Sequence, residues 1–343
     1  MSAWRSSERF GRPREGSQAV KRNRLIAAIV AVGCVANLLP GAALAQAYPN
    51  KPIRVLIATS AGSNPDTVAR VVAVGLTQAL GQQIIVDNRA GAGGNIGAEI
   101  AARAPADGYN VFLAHTNHSI NTTLYKKLAY DVINDFSPVS LLALSPFVAT
   151  VHPSLPAKSL RDLINIAKAR PGDLTYASAG TGSGTFFSAE YFNSMAKVKM
   201  LHVAYKGGGP ALAAVVAGET SVYFTPFATG LPHIRSGKLR PLGVSAPKRL
   251  PDLPGVPAIA ETLPGYEVLA WAGLMVPAKT PGSVIETLHK AAVSALRDPE
   301  VRKRLNSLGY IVVGSRPDEL GTHIRTEIDK YAKLIRQIGL PPQ

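Results

Sequence analysis

Cysteine is almost absent: Cys34 is the only one in 343 residues. That excludes an internal disulfide framework and any cysteine-based metal cluster. Acidic residues are sparse, 22 Asp and Glu against 37 Lys and Arg, giving a formal charge of +15. Aromatics make up only 6%, and no dense basic run is interleaved with them, which speaks against nucleic-acid binding. No apolar run reaches the roughly 20 residues a membrane span needs. None of the seven histidines joins Asp or Glu at metal-ligand spacing. No repeat of fixed period is found. No cofactor and no metal are expected.

What is present fits a soluble α/β protein: 46% apolar and 17% charged residues, with 31 Gly and 26 Pro. The length allows two domains and a sizeable core. The basic stretch Lys21-Arg-Asn-Arg24 precedes an apolar run from Leu25 to Leu39, and Pro40-Gly-Ala-Ala-Leu-Ala45 supplies a helix break and an A-x-A site. That order predicts a secretory signal peptide over 1–45, cleaved after Ala45, and hence a periplasmic protein. Cys34 lies inside the apolar run rather than at its end, so a lipoprotein anchor is not expected and the mature chain would carry no thiol. The segment 1–45 accounts for a net +5 of the charge. The remaining +10 is spread along the chain, where it can concentrate anionic solutes.

From residue 48 onward, strand and helix patterns alternate, which implies largely parallel sheets with right-handed crossovers. Ile53-Arg-Val-Leu-Ile-Ala58 reads as a strand covered on both faces. A helix is predicted over 65–80, with Gly81 as its stop. Strands follow at 83–88 and 110–116, with a glycine loop at 89–94 and a helix at 95–104 between them. Residues 138–151 are strand-rich. A second series alternates from 159 to 246, followed by a strand at 266–277, two helices announced by Thr280-Pro281 and Asp298-Pro299, and a long last helix. Two α/β units follow: residues 48–150 with 270–343, and residues 151–269. In such folds ligands bind beyond the C-terminal strand ends, here in a cleft between the units.

Two strand-to-helix turns carry the chemistry. In the first, Thr59, Ser60, Gly62, Ser63, Asn64 and Asp66 offer hydroxyls, bare amides and capping groups. The second, after residues 174–180, holds Ser178, Gly180, Thr181, Gly182 and Ser183. Helix starts present free N–H groups and partial positive charge, so a facing pair suits a carboxylate or phosphate. Thr116, Asn117 and His118, after the strand ending at His115, are placed at the cleft edge, as is Thr225. A polar loop with a solvated histidine explains 115–118 equally well. Arg89-Ala-Gly-Ala-Gly-Gly-Asn-Ile-Gly97 does not follow the G-x-G-x-x-G dinucleotide spacing, and no ribose-binding acid follows, so it reads as a tight turn and helix start. Ser183 is not in a nucleophile elbow, and no histidine spacing pairs with it. Trp271 reads equally as core or pocket wall.

Together these segments resemble the substrate-binding proteins of tripartite tricarboxylate transporters, the TctC or Bug family. The likeness is carried by Val86-Asp-Asn-Arg-Ala-Gly-Ala-Gly-Gly-Asn-Ile-Gly-Ala98, Pro105-Ala-Asp-Gly-Tyr109, Leu124-Tyr-Lys-Lys-Leu128, His202-Val-Ala-Tyr-Lys-Gly207, Leu231-Pro-His-Ile-Arg-Ser-Gly-Lys-Leu239 and Asp298-Pro-Glu-Val-Arg302. It implies a type II periplasmic binding-protein fold, two mainly parallel α/β domains around a cleft, and delivery of a small organic acid to membrane permease subunits. The same loops, 60–66 and 178–183, are implicated as the site. Where family members often carry consecutive glycines, Ser63 and Asn64 stand here. Thr225 replaces a frequent aspartate, so solutes without an amine are expected. The sequence reading is a monomeric, non-enzymatic solute receptor. A sensory module feeding a membrane kinase, or a secreted hydrolase using Ser63 or Ser183, are the alternatives.

Overall fold

Ile53-Arg-Val-Leu-Ile57 is apolar apart from Arg54, and in the computed structural model its four apolar residues are buried while Arg54 reaches out to pair with Asp87. The structure describes residues 48–343 and Gly11. The expected leader, its cleavage site, Cys34 and Trp4 lie outside the described residues. Pro49–Gln343 form one compact unit.

The first elements are β1 (Ile53–Ile57), α1 (Asn64–Leu80), β2 (Ile84–Asn88), a 3-10 turn (Ala92–Gly94), α2 (Asn95–Ala102), β3 (Asn110–His115) and α3 (Thr116–Leu124). A 16-residue strand, β4 (Phe136–Val151), follows. Next come α4 (Leu160–Ala169), β5 (Thr175–Ser178), α5 (Gly184–Ala196), β6 (Leu201–Ala204), α6 (Gly208–Ala217), β7 (Val222–Pro226), α7 (Phe227–Arg235) and β8 (Arg240–Val244). The chain ends with β9 (Leu269–Pro277), α8 (Gly282–Arg297), α9 (Pro299–Ser307), β10 (Ile311–Val312) and α10 (Pro317–Gln337).

The strands run β2-β1-β3-β9-β4-β7-β5-β6, with β8 and β10 also pairing β4. Both ends are parallel, β2-β1-β3 and β7-β5-β6, as alternation predicts. The middle is antiparallel. The reason lies in β4: its first part, Phe136 to Pro146, pairs with β9, and its remainder pairs with β7 and β8. Register shifts follow Pro138 and Leu141, and at the first of these the proline cannot donate to a ladder.

Rows across the sheet show why the sequence is apolar throughout. Leu56, Phe112 and Met275 are aligned on one face, and Ile57, Leu113 and Leu274 on the other. All six are at most 2% exposed, each contributing roughly 1.5–3 kcal/mol by burial. α10 covers the first face through Leu320 and Ile324. α1 approaches α8 so closely that a Cβ on Gly75 would lie 2.8 Å from Ala295 Cα. α1 stops at Gly81, whose φ of 65° lets its N–H reach Thr77 O.

α3 and α7 were not expected as helices. α3, Thr-Asn-His-Ser-Ile-Asn-Thr-Thr-Leu, is polar and β-branched, so only Ile120 and Leu124 mark its buried apolar stripe. α7 contains Gly230 and Pro232, residues that ordinarily argue against a helix interior.

Candidate functional site

The strand ends on one side of the sheet feed helices directly, and four of these junctions meet at one cavity. Thr59, Asn64 and Pro65 come from the β1–α1 turn; His115, Thr116 and Asn117 from β3–α3; Ala179, Ser183, Gly184 and Thr185 from β5–α5; and Pro226 from β7–α7. Ala143, Ser145 and Phe147 of β4 and residues 270–272 of β9 form its floor, and Tyr310 closes one side. The cavity measures about 190 Å³, below the roughly 300–1,000 Å³ of sites for drug-sized ligands. Among the described residues that line it, none is Asp, Glu, Lys or Arg. Its electrostatics therefore come from helix N-termini, each equivalent to roughly half a positive charge.

Each turn is built by its own side chains. Ser63 caps α1: its Oγ accepts from the Asp66 amide at 3.4 Å and lies 2.6 Å from Thr59 Oγ1. Asp66 is 2% exposed. Its carboxylate accepts from Gly62 N at 2.8 Å, from Arg70 Nε at 2.9 Å and from Asn88 Nδ2 at 3.0 Å. Burial pushes its pKa up, but Arg70, the Gly62 amide and Asn88 outweigh this and hold it below the ordinary carboxylate value. Asp66 and Gly62 thus hold the turn together and do not line the cavity; Ser60 is exposed outside it and Ser63 sits behind Asn64 as the cap.

In the β5–α5 turn, Ser183 Oγ accepts from Phe186 N at 3.2 Å and donates to Gly180 O at 2.7 Å. Thr185 Oγ1 accepts from Ala179 N. Ser178, fully buried, accepts from Gly180 N at 3.1 Å and lies 2.6 Å from His202 Nε2. Gly180 and Gly182 have φ of 117° and 83°, conformations that favour glycine. Ser183 lines the cavity, whereas Ser178, Gly180 and Gly182 shape the turn and Thr181 is exposed. Thr225 is buried beneath the wall, its hydroxyl 2.7 Å from Thr150 Oγ1 and donating to Tyr223 O, so Pro226 takes the lining position expected for it.

Of the residues singled out in sequence, the structure brings Asn64, Thr116, Asn117 and Ser183 to the cavity together. His118 turns into the core instead, edge-on to Phe112, with its Nδ1 accepting from the His115 amide at 3.0 Å. His115 lines the cavity in its place. Burial, then the neighbouring His118, holds His115 well below its ordinary pKa; burial brings His118 down to about 4. Both are neutral at physiological pH. Trp271 is both core and wall, at 2% exposure. Thr59, named with the first turn, lines the cavity too, whereas His115, Thr185, Pro226 and Tyr310 were missed. The strand-to-helix signature flagged only two of four junctions, and Tyr310 lies 246 residues from its partner Asn64.

The glycine motif at 89–97 supports the site from beneath. A Cβ on Gly97 would lie 2.7 Å from both Ala58 Cα and Arg89 O, so the motif packs against the end of β1. Asn121 Nδ2 of α3 donates to Gly93 O and to Asn95 Oδ1. The motif is a turn and a helix start.

A family model described as "Tripartite tricarboxylate transporter family receptor" matches residues 68–340. A "UPF0065 protein in tcbD-tcbE intergenic region" of Pseudomonas sp. (strain P51) is 35% identical over 297 residues, 86% of this chain and 88% of that one. Among solved structures, an R. palustris protein with adipate is 32% identical with a TM-score of 0.78, covering 86% of this chain and 100% of the other. MatC from Rhodopseudomonas palustris with bound malate is also 32% identical, with a TM-score of 0.74, over 84% of this chain and 100% of that one.

Proposed function

This chain belongs to the tripartite tricarboxylate transporter receptor family, and we propose that its cavity captures a small organic carboxylate for delivery to membrane permease subunits. One observation carries the reading: four helix starts converge on a cavity with no charged side chain among its described lining residues. Oriented amides attract an anion without the desolvation cost of a buried cationic side chain. The relatives solved with adipate and with malate support a carboxylate as the ligand class.

Binding without chemistry is part of the same proposal. The Ser63 and Ser183 hydroxyls serve as helix caps. His202, beside Ser178, stacks on Tyr176, and no carboxylate partners it among the described residues. We assign residues 48–150 with 270–343 to one lobe and 151–269 to the other, the receptor working as a monomer in the periplasm after removal of the leader at 1–45.

A thermal-shift screen of residues 46–343 tests the function. A solute at 100 times its dissociation constant adds about 2.7 kcal/mol of stability. Dicarboxylates and aromatic acids should raise the melting temperature, and amides such as nicotinamide should not. Stabilisation by amides alone would refute the reading.

A further inference from the structure

One buried donor in the cavity wall is left unused by the fold. His115 ends β3, caps α3 and lines the cavity while only 4% exposed. The Asn117 amide donates to its Nδ1 at 3.4 Å, so that nitrogen carries the lone pair and the proton resides on Nε2. Nε2 is buried and has no hydrogen-bond partner among the described residues. Buried N–H groups are nearly always paired, so this one calls for an acceptor.

The described surroundings supply none. His118 packs edge-on with ring centroids 4.3 Å apart, its Nδ1 engaged by the His115 amide. Trp271, also in the wall, carries only a donor, itself unpartnered among the described residues. The lining residues closest in sequence, Thr116 and Asn117, belong to the helix that His115 caps, and the Thr116 hydroxyl accepts from Trp271 N at 2.9 Å.

We infer that His115 is a specificity-determining residue that donates its Nε2–H to an oxygen of the bound solute. This rests on the carboxylate reading of the cavity. The donor is neutral, because burial and the adjacent His118 disfavour the imidazolium, so it directs the ligand without adding charge. It selects an oxygen acceptor at that point and repels an ammonium or an N–H.

Two substitutions divide the ring between its two roles. The variant His115→Asn keeps the cap: its side chain still offers an acceptor to the Asn117 amide but cannot reach the place of Nε2. In His115→Gln the amide reaches that place but forfeits the cap. Isothermal calorimetry with malate and adipate as probes should show His115→Asn weaker than the parent by about tenfold, the loss of one hydrogen bond to a charged acceptor. His115→Gln should recover most of that affinity although its melting temperature falls. Equal affinities in the two variants, whether both weakened or both unchanged, would overturn the inference and leave His115 a structural cap. If the parent binds nicotinamide and no acid, the carboxylate reading fails, and the same contrast between the two variants measured with nicotinamide decides the role of His115 separately.

Discussion

Tyr310 donates its hydroxyl to Asn64 Oδ1 and also approaches Asn64 O at 3.3 Å, joining the start of α1 to the segment between α9 and β10 across the cavity wall. With Oδ1 engaged as acceptor, the Asn64 side chain has Nδ2 to offer a ligand. Tyr310→Phe frees that amide to rotate. It should weaken solute binding about fivefold, the worth of roughly 1 kcal/mol, while calorimetric melting changes little.

Asp66 gathers three donors into the first turn, and its removal should be felt in stability before affinity. Asp66→Asn keeps the size but presents an N–H₂ where Gly62, Arg70 and Asn88 all donate. Urea titration should show a loss of about 1–3 kcal/mol. The folded carboxyl titrates below the ordinary 3.8, so its contribution is present above that value and disappears as the pH falls through the lower, folded value. The variant should therefore lose this part of the acid sensitivity.

A second acid response comes from buried imidazoles. His118 and His323 both titrate at about 4 in the folded chain, burial being the main cause and, for His323, Lys330 adding to it. Unfolded histidine takes its proton near 6.5, so the unfolded state binds more protons across the window down to the folded value, and stability declines as pH falls through it. The limit is about 3 kcal/mol per histidine at roughly 1.36 kcal/mol per unit. His323→Leu should flatten part of the decline in unfolding free energy measured from about pH 7 to about pH 4.5.

Gly97 tests the structural role of the glycine motif. Gly97→Ala drives a methyl into Ala58 and the Arg89 carbonyl, neither of which can swing aside. Denaturant unfolding should show a loss of about 1–3 kcal/mol, and addition of NAD or ATP should not restore the melting temperature.

The cavity wall offers no carboxylate to an ammonium group among its described residues, and Thr225, buried beneath it, brings only a hydroxyl. Succinate should bind more tightly than aspartate, by about tenfold or more for a desolvated, unpaired ammonium. Competition calorimetry measures the ratio, and tighter binding of aspartate would contradict the account.

Long, uniform segments were legible in the sequence. β1 and α1 were expected within a residue of where they lie because the apolar run, the Pro at the helix start and Gly81 at its end agree. The antiparallel centre was not legible, because pairing partners such as Pro146 and Leu269 are fixed by tertiary packing rather than by local pattern. The site was half legible. Its α1 and α5 junctions carry hydroxyl-rich caps, whereas α3 is capped by a histidine and α7 begins after a proline with no side-chain cap. Asp66 and Ser178 have the residue types of ligand contacts, and only the fold reveals that their atoms are engaged within the protein, Asp66 by Gly62, Arg70 and Asn88 and Ser178 by Gly180 and His202.

Because the cavity draws its polarity from backbone rather than from ionised side chains, exchanging one neutral side chain of the wall for another leaves that polarity in place. Descendants of such a chain could exchange one nutrient for another by repacking Val68, Phe147 or Ala272, which belong to the core as well as to the wall. Their attraction to anions would persist through that divergence, carried by chain geometry that such exchanges leave intact.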